Sequence, residues 1–267
     1  MLKKLSLVLT MLFLSVTGLA QSSDAKPAEA APQRLLGLVN EYTIKPGMMT
    51  AYLQWAEKEA IPLYHKAGIK EAYFFTNIYD SAERSIVTFI EVHPSFAAIK
   101  ARNEAFTRNN SQEARAAWSA KAPEFIESTR AYIVEGLPEI SWRNPNLKKA
   151  SLYYVVTERY IAPFRGRDYE AYLKNDYLPL VKKANGNGIT VTRLRYGGEM
   201  GHYYVFSGVD DLTELDQPSK ITAAAGGQDA VQKMMQKLIG VVQRSESRIL
   251  RLRTELSIIP EPARAAK

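Results

Sequence analysis

The sequence predicts an α+β fold built from two tandem copies of one β-α-β-β-α-β unit. The main observation is internal similarity. A shift of 117 positions, without a gap, aligns a series of residues between Glu41 and Val92 with identical or similar residues of the second half. The aligned pairs include Glu41 with Glu158, Tyr52 with Tyr169, Pro62 with Pro179, Lys66 with Lys183 and Phe89 with Phe206. Arg130 and Arg248, one residue further apart, extend the match. Such self-similarity across turns, helices and strands indicates duplication of one folding unit.

The first half begins with a strand that ends at the turn Lys45-Pro46-Gly47. A helix follows, with apolar residues near one stripe, and Gly68 ends it. Two segments rich in β-formers then predict a hairpin, and a long helical stretch with a break near Asn109-Asn110 leads to the closing strand. The predicted elements are strand 35–44, helix 48–67, strands 72–79 and 85–92, helical segment 95–125 and strand 131–135.

The second half repeats this order. The predicted elements are strand 151–161, helix 166–185, strands 189–196 and 202–208, helices 211–243 and strand 248–258. The order is that of the ferredoxin-like motif, in which a four-stranded antiparallel sheet carries both helices on one face. Strand residues such as Phe75, Val155 and Val205 make these strands too apolar for a sheet face that contacts water. We therefore expect the halves to pack sheet against sheet into one pseudo-twofold α+β barrel.

Three segments of the first half carry a resemblance to a known family. Tyr42-Thr-Ile-Lys-Pro-Gly47, Trp55-Ala-Glu-Lys-Glu-Ala-Ile-Pro-Leu63 and Lys66-Ala-Gly68 resemble the opening strand, turn and helix of NIPSNAP-type domains, in the dimeric α+β barrel superfamily. The resemblance implies an intrachain version of the dimeric-type barrel. The superfamily includes cofactor-free monooxygenases and haem enzymes such as chlorite dismutases, so a function follows from it only by analogy.

The N-terminal segment has the three parts of a secretory signal peptide. Lys3-Lys4 precede an apolar run at 5–14, and Gly18-Leu19-Ala20 forms a small-residue end. Its removal takes away two lysines and lowers the formal net charge from +7 to +5. We expect a periplasmic or secreted protein. The expected organisation is signal peptide 1–20, flexible leader 21–33, first repeat 34–137, linker 138–149, second repeat 150–259 and tail 260–267.

Composition excludes several kinds of site. The chain has no cysteine, which excludes disulfides and thiol catalysis. Basic and acidic residues alternate along the chain, so no nucleic-acid partner is expected, and no membrane association is expected after signal cleavage. His65, His93 and His202 have no metal-ligand spacing, so neither a metal nor a cofactor is expected. Haem on His65 remains a further alternative, and His202 is expected at a strand end on the surface.

The candidate ligand-binding residues are two repeated acids and several strand residues. Glu41 and Glu158 lie near the ends of strands that the internal similarity makes equivalent, so both are expected at the mouths of the barrel. The alternative is that each pairs with a nearby base such as Arg159 or Arg193. Tyrosine is abundant, at 15 residues, and a buried tyrosine hydroxyl needs a partner. The further lining candidates are Tyr73, Tyr154, Arg193 and Tyr203, although the sequence does not decide which strand face points inward.

A second pair of repeated acids has a structural interpretation. Glu59 and Asp176 each precede a proline by three residues, at Pro62 and Pro179, inside a predicted helix. Proline removes a backbone hydrogen bond and kinks a helix. We expect each acid to satisfy a backbone donor or a nearby lysine, and general-base work is the alternative.

No catalytic constellation is visible in the sequence. The leading expectation is therefore an exported small-molecule-binding or accessory protein of unassigned ligand, which is not an enzyme. The alternative is a cofactor-independent monooxygenase-like enzyme acting on an aromatic compound. Because one chain supplies both sheets, a monomer or a weak homodimer is expected.

Overall fold

Eight antiparallel strands close into a single barrel with helices packed on its outside. The structure is a computed structural model, and it describes residues 33–79 and 85–260. The predicted signal peptide, the leader up to residue 32 and the tail from residue 261 lie outside the described residues. In the described part of the chain, no helix has the length and hydropathy to cross a bilayer.

The strands and helices follow the predicted order. The strands are β1 Leu36–Ile44, β2 Ala72–Asn77, β3 Ser85–His93, β4 Ile126–Gly136, β5 Trp142–Arg143, β6 Tyr153–Ile161, β7 Gly188–Tyr196, β8 His202–Val209 and β9 Val242–Leu252. The helices are α1 Met49–Trp55, α2 Ile61–Lys66, α3 Phe96–Asn109, α4 Gln112–Phe125, α5 Gly166–Tyr172, α6 Leu178–Lys183, α7 Lys220–Ala225 and α8 Gln228–Gln236.

The two halves join through their strand edges. The first half has the order β4-β1-β3-β2 and the second β9-β6-β8-β7. Hydrogen-bonded pairs β2–β9 and β4–β7 connect them, and the short β5 adds to β7. Sheet-against-sheet packing was therefore an incomplete prediction, because the two sheets are continuous. Closure satisfies the backbone groups that an open sheet leaves unpaired at its edges.

The pairing register corrects the gapless alignment. Glu41 pairs with Thr88 in the first half, and Glu158 pairs with Tyr204 in the second. The two acids are 117 residues apart (158 − 41), whereas their partners are 116 apart (204 − 88). Because Phe75 pairs with Thr88 and Thr192 with Tyr204, the missing residue lies between β7 and β8. A slip of one residue exchanges the two faces of a strand.

The match of Arg130 with Arg248 is also wrong. Arg130 pairs with Glu41, but the residue that pairs with Glu158 is Glu246. Arg248 instead pairs with Val156, in the position that Tyr132 has opposite Val39 in the first half. The two halves thus place different side chains at equivalent positions inside the barrel.

The first helix of each half contains a π-helical turn. These turns span Ala56–Ala60 and Leu173–Tyr177, directly before the helical turns that carry Pro62 and Pro179. Because proline has no N–H to donate and a π turn already departs from the α-helical bonding pattern, the helix accommodates each proline there.

The acids beside these prolines have structural partners. Glu59 accepts a hydrogen bond from Trp55 Nε1 at 3.1 Å. Asp176 accepts one from Lys237 Nζ at 2.7 Å. The lysine partner of Asp176 agrees with the structural interpretation, whereas Glu59 pairs with an indole N–H instead of a backbone donor or a lysine.

Two strand boundaries differ from the prediction. The last strand begins at Val242 and ends at Leu252, about six residues earlier than expected. Its first half is mostly exposed and polar, so it has no alternating apolar signal, and its pairing with β6 defines it instead. Strand β4 likewise begins at Ile126, directly after α4, and Pro123 lies inside α4 without ending it.

Three apolar cores follow from strand alternation. One lies between the first sheet and α1–α4, and a second between the second sheet and the helices of that half. The third fills part of the barrel interior and draws residues from both halves, Val39, Phe75, Tyr132, Val134, Val156, Leu194, Tyr204, Leu250, Leu252 and Ile259. The barrel interior is thus mainly apolar.

Candidate functional site

A cavity of ≈ 390 Å³ occupies one end of the barrel interior. Inward-facing residues of all eight barrel strands line it, since alternate residues of a strand point to one face. Most are apolar or aromatic, namely Val39, Tyr73, Phe75, Ile90, Tyr132, Val134, Tyr154, Tyr204, Phe206 and Leu250. The cavity therefore suits an apolar ligand of modest size.

The connection between the two halves forms part of the cavity wall. Residues of the segment 137–151, including Trp142 and Ser151, line the cavity. Gly208 of β8 lets this segment approach, because a Cβ at that position would lie 2.6 Å from Ser151 Oγ. Gly37 of β1 similarly keeps space inside the barrel, where an added Cβ would lie 2.8 Å from Val134 Cγ2.

Three buried polar atoms of the cavity wall lack a partner. The Thr88 hydroxyl, the Thr192 hydroxyl and Arg248 Nε have no hydrogen-bond partner in the described part of the protein. They come from β3, β7 and β9, which are not neighbours in the barrel. An unpaired buried polar group is costly. A ligand with oxygen atoms around its edge would pair with them.

Arg248 separates the cavity from a charged cluster at the other end of the barrel. Its Nη2 lies 2.6 Å from Glu41 and 3.2 Å from Glu158. Arg130 Nη1 lies 3.7 Å from Glu41. Burial alone would lower the pKa of Arg248, but the charges of Glu41 and Glu158 outweigh it and raise the pKa above the ordinary arginine value. Arg248 is a fixed cation at the end of the cavity.

His202 completes the cluster. Its Nε2 lies 3.0 Å from Glu158 Oε2, and its Nδ1 lies 3.3 Å from the Tyr204 hydroxyl. Burial would raise the pKa of Glu158, but the hydrogen bond with His202 and the charges of Arg248 and Arg130 lower it below the ordinary value. The expectation that His202 lies on the surface is wrong, because the residue is 1% exposed. The sequence places His202 at the end of a strand, but it does not show that this end lies inside the closed barrel.

The tyrosines of the cavity wall are neutral donors. Burial is the largest cause that raises the pKa of Tyr132, Tyr204 and Tyr73, and neighbouring carboxylates raise each further. The Tyr73 hydroxyl donates to Glu71 Oε1 at 2.8 Å, beside the cavity. Burial likewise raises the pKa of Tyr154.

The structure separates the six predicted ligand-binding residues into three groups. Tyr73 and Tyr154 line the cavity. Glu41 and Glu158 lie inside the barrel but beyond Arg248, and both pair with it rather than with Arg159 or Arg193. The two acids were expected to bind the ligand but do not line the cavity, because the cavity forms where the interior is apolar.

Arg193 and Tyr203 lie outside the barrel, which corrects their predicted place between the sheets. Tyr203 packs against Tyr169 in the core under the second-half helices, with its hydroxyl 2.8 Å from Glu170. Arg193 binds Glu170 and Glu135 there. Both line an external groove that does not include the barrel interior. Strand alternation places their neighbours Thr192, Leu194 and Tyr204 inside.

Sequence reasoning missed Arg248, Thr88 and Tyr132 as residues of the cavity wall. A signal for Arg248 was present, because it directly precedes the apolar pair Ile249-Leu250, but the wrong register assigned it to the position of Arg130. Thr88 carries no distinguishing signal, since threonine is common on strands.

The histidines do not contribute to the cavity wall. His65 is exposed on α2, and His93 and His202 each pair with a glutamate. Within residues 33–79 and 85–260, no three His, Cys, Asp or Glu side chains form a cluster that could hold a metal ion.

Solved structures with the same fold are found at low sequence identity. A candidate monooxygenase from Fusobacterium nucleatum superposes with a TM-score of 0.56 at 12% identity, covering 82% of this chain and 92% of the other. A candidate monooxygenase from Lactobacillus acidophilus gives 0.54 at 10%, covering 85% and 99%. An anthrone oxidase-like protein gives 0.55 at 15%, covering 88% and 98%. No protein-family model and no curated protein matches the sequence.

These likenesses establish an α+β barrel of the dimeric type, closed here within one chain. They do not extend to the NIPSNAP type in particular. They also overturn the leading functional expectation. A non-enzymatic binding or accessory protein was expected, but the structures that share the fold are named as monooxygenases or oxidase-like proteins, which favours the enzyme alternative.

Proposed function

We propose that this protein is a cofactor-independent monooxygenase-like enzyme that acts on a polycyclic aromatic compound bound inside the barrel. The observation that carries the proposal is the cavity, which is lined by apolar and aromatic side chains and has three unpaired polar atoms on its wall. Its volume of ≈ 390 Å³ lies within the range of about 300–1,000 Å³ usual for ligand pockets.

The polar atoms favour an oxygen-bearing ring system. Arg248 Nε is a donor, so it requires an acceptor such as a carbonyl or phenolate oxygen. Thr88 and Thr192 can donate or accept. Since these groups lie on three non-adjacent strands, the ligand needs oxygen atoms at several edges rather than at one end. A hydroxylated anthrone, a three-ring compound with a reactive CH2 group, has this form.

The reaction balances without an external reductant. The CH2 carbon of the anthrone loses two hydrogens and gains one oxygen atom to become the C=O of a quinone. Molecular oxygen supplies that atom, and its second atom leaves as water with the two hydrogens. The substrate is oxidised by four electrons, and O2 is reduced by four. Loss of a proton from the substrate gives the electron-rich anion that reacts with O2, and the positive charge of Arg248 favours that anion.

The proposal is tested with the purified mature protein and 1,8-dihydroxyanthrone in an oxygen electrode, without added flavin or metal. The expected result is O2 consumption above the rate in buffer, equal to quinone formed, with one labelled oxygen in the quinone when 18O2 is used. Two matched variants change the cavity in opposite directions. Ile90→Phe fills part of it, and Ile90→Val slightly enlarges it. A wild-type rate equal to that of buffer alone would refute the proposal.

We also propose that the chain is an exported product of gene duplication, with ferredoxin-like repeats at 34–137 and 150–259. The π turns and the first-strand bulges recur 117 residues apart, which supports duplication. Export rests on the sequence of residues 1–20. N-terminal sequencing of the protein recovered from the periplasm or medium tests it, and a mature chain that still begins at Met1 would contradict it.

A further inference from the structure

A hydrogen-bonded chain leads out of the cavity at its closed end. Tyr204 lines the cavity, and its hydroxyl lies 3.3 Å from His202 Nδ1. His202 Nε2 lies 3.0 Å from Glu158 Oε2. The imidazole lies between two tyrosines, stacked on Tyr160 with ring centroids 4.1 Å apart and tilted against Tyr204 with ring centroids 4.3 Å apart. The ring is therefore held in one orientation, and both of its nitrogens are engaged.

The partners of His202 determine which nitrogen carries the proton. An ionised Glu158 only accepts hydrogen bonds, so Nε2 carries the hydrogen that it donates to the carboxylate. Nδ1 is then an acceptor, and the Tyr204 O–H donates to it. A tyrosine–histidine–carboxylate chain in this order can accept a proton at the tyrosine end and stabilise it as an imidazolium beside the carboxylate.

We infer that His202 and Glu158 accept the proton of the cavity-bound substrate through the Tyr204 hydroxyl. This inference rests on the proposed function. The substrate O–H or C–H proton passes to the Tyr204 oxygen as the tyrosine proton passes to His202 Nδ1. The substrate becomes an anion, and His202 becomes an imidazolium beside the Glu158 carboxylate. The proton later returns through the same chain to the water formed from O2, so no proton is gained or lost overall.

Tyr204 is suited to pass a proton without storing charge. Burial is the largest cause that raises its pKa, and Glu158 and Glu41 add to it; these effects outweigh the hydrogen bond with Tyr132 and the charge of Arg130, which lower it. A tyrosinate at this place is therefore unfavourable, and the hydroxyl gives up its proton only as it receives another. His202 and Glu158 act through Tyr204 and are positioning residues in this scheme.

The carboxylates and the inward arginines around His202 cancel in charge. Arg248 of β9 contacts Glu158 and Glu41, and Arg130 of β4 approaches Glu41. Arg244 of β9 lies over the far face of Tyr160, with its guanidinium 3.8 Å from the ring centroid. Two carboxylates thus face two inward arginines. A proton that arrives on His202 interacts most directly with Glu158, its nearest charged neighbour.

The test measures ionisation of a bound phenol, which does not depend on turnover. The probe is 1,8-dihydroxyanthraquinone, whose phenolate absorbs at longer wavelength than the phenol. It is titrated with pH while bound to wild type, Tyr204→Phe and His202→Gln. Unsubstituted anthraquinone, which cannot ionise, is the matched ligand for binding. Tyr204→Phe keeps the ring that packs against His202 and removes only the hydroxyl, so it serves if His202→Gln does not fold.

The expected result is an apparent pKa of the bound probe at least one unit higher in the variants, which is a tenfold loss of ionisation. The Kd for anthraquinone, measured for each protein, separates a loss of binding from a loss of ionisation. Equal ionisation in wild type and Tyr204→Phe would overturn the relay while leaving the proposed function in place. A tenfold loss of ionisation in a protein that consumes no O2 with the anthrone would support the relay and refute the proposed function. Failure of the wild type to bind either compound would overturn both.

Discussion

Arg248 Nη2 of the last strand lies 2.6 Å from Glu41 Oε1 of the first strand, across 207 positions of the chain. The same nitrogen lies 3.2 Å from Glu158 Oε1 of the second half. One cation thus holds together two carboxylates that come from different halves inside the barrel. Removing the cation leaves both carboxylates with mutual repulsion in a largely buried site.

We expect Arg248→Met to lower the free energy of unfolding by about 3 kcal/mol, because loss of one partner of a buried ion pair leaves an uncompensated charge. Urea denaturation of wild type and variant measures the difference. The triple variant Glu41→Gln/Glu158→Gln/Arg248→Met, which removes all three charges, should recover most of the loss. A single variant as stable as wild type would mean that the cluster has no energetic role.

Stability should fall in acid because of Glu158. The pKa of its carboxyl is lowered from the ordinary 4.5 in the folded protein, since the hydrogen bond with His202 and the charges of Arg248 and Arg130 outweigh the opposite effect of burial. Such a group stabilises the fold fully above its unfolded pKa, and this contribution is lost as pH falls through the folded pKa.

The free energy of unfolding of wild type should therefore decrease below pH 4.5, and Glu158→Gln should show a shallower decrease. Thermal unfolding followed by circular dichroism between acid and neutral pH measures both curves. Glu57→Gln, at an exposed position on the first helix, is the control and should retain the wild-type slope. Parallel curves for wild type and Glu158→Gln would contradict the assignment.

Occupation of the cavity should depend on the side chain at position 90. Ile90 lines the cavity, so Ile90→Phe should reduce the affinity for anthraquinone by occupying its space. Ile90→Val removes one methylene group, costs about 0.5–1.5 kcal/mol of stability, and should still bind. Isothermal titration calorimetry compares the two. Equal affinity for both variants would place the ligand elsewhere.

Gly197 should be essential where the barrel closes. Its φ is +93°, and an added Cβ would lie 2.8 Å from Tyr132 Cβ and 2.9 Å from Ala131 O on the neighbouring strand. Gly197→Ala should destabilise the protein by more than about 1 kcal/mol, because strain and a backbone clash combine. Gly186→Ala, in a turn where nothing lies within 4 Å of the added Cβ, is the matched control, and denaturation curves should show little change.

The purified mature protein should be a monomer, or at most a weak dimer. One chain supplies both seams of the barrel, β2–β9 and β4–β7, so closure needs no second copy. Native mass spectrometry and light scattering measure the mass. The unfolding midpoint should not change with protein concentration, whereas an obligate dimer would become more stable as concentration rises.

Local patterns were sufficient to predict the order of the elements. Turn residues such as Lys45-Pro46-Gly47, helical stripes and strand-forming runs act between neighbours in the chain, so they gave the β-α-β-β-α-β order of both halves and the barrel class. They did not give the extent of β9, because its first residues are polar and only pairing with β6 makes them a strand. They did not distinguish an enzyme from a binding protein, because one fold can carry either function.

By itself the sequence determined the element order and the acids and tyrosines available to a site. Only the tertiary structure decided which of them meet. Tyr203 and Tyr204 are adjacent in sequence, yet the first packs under the helices and the second lines the cavity. A strand exposes alternate residues to opposite faces, so a shift of one residue in pairing exchanges the residues that face the barrel interior with those that face the helices. That register is set by hydrogen bonds between strands far apart in the chain, as is the contact of Arg248 with Glu41, and no local pattern records it.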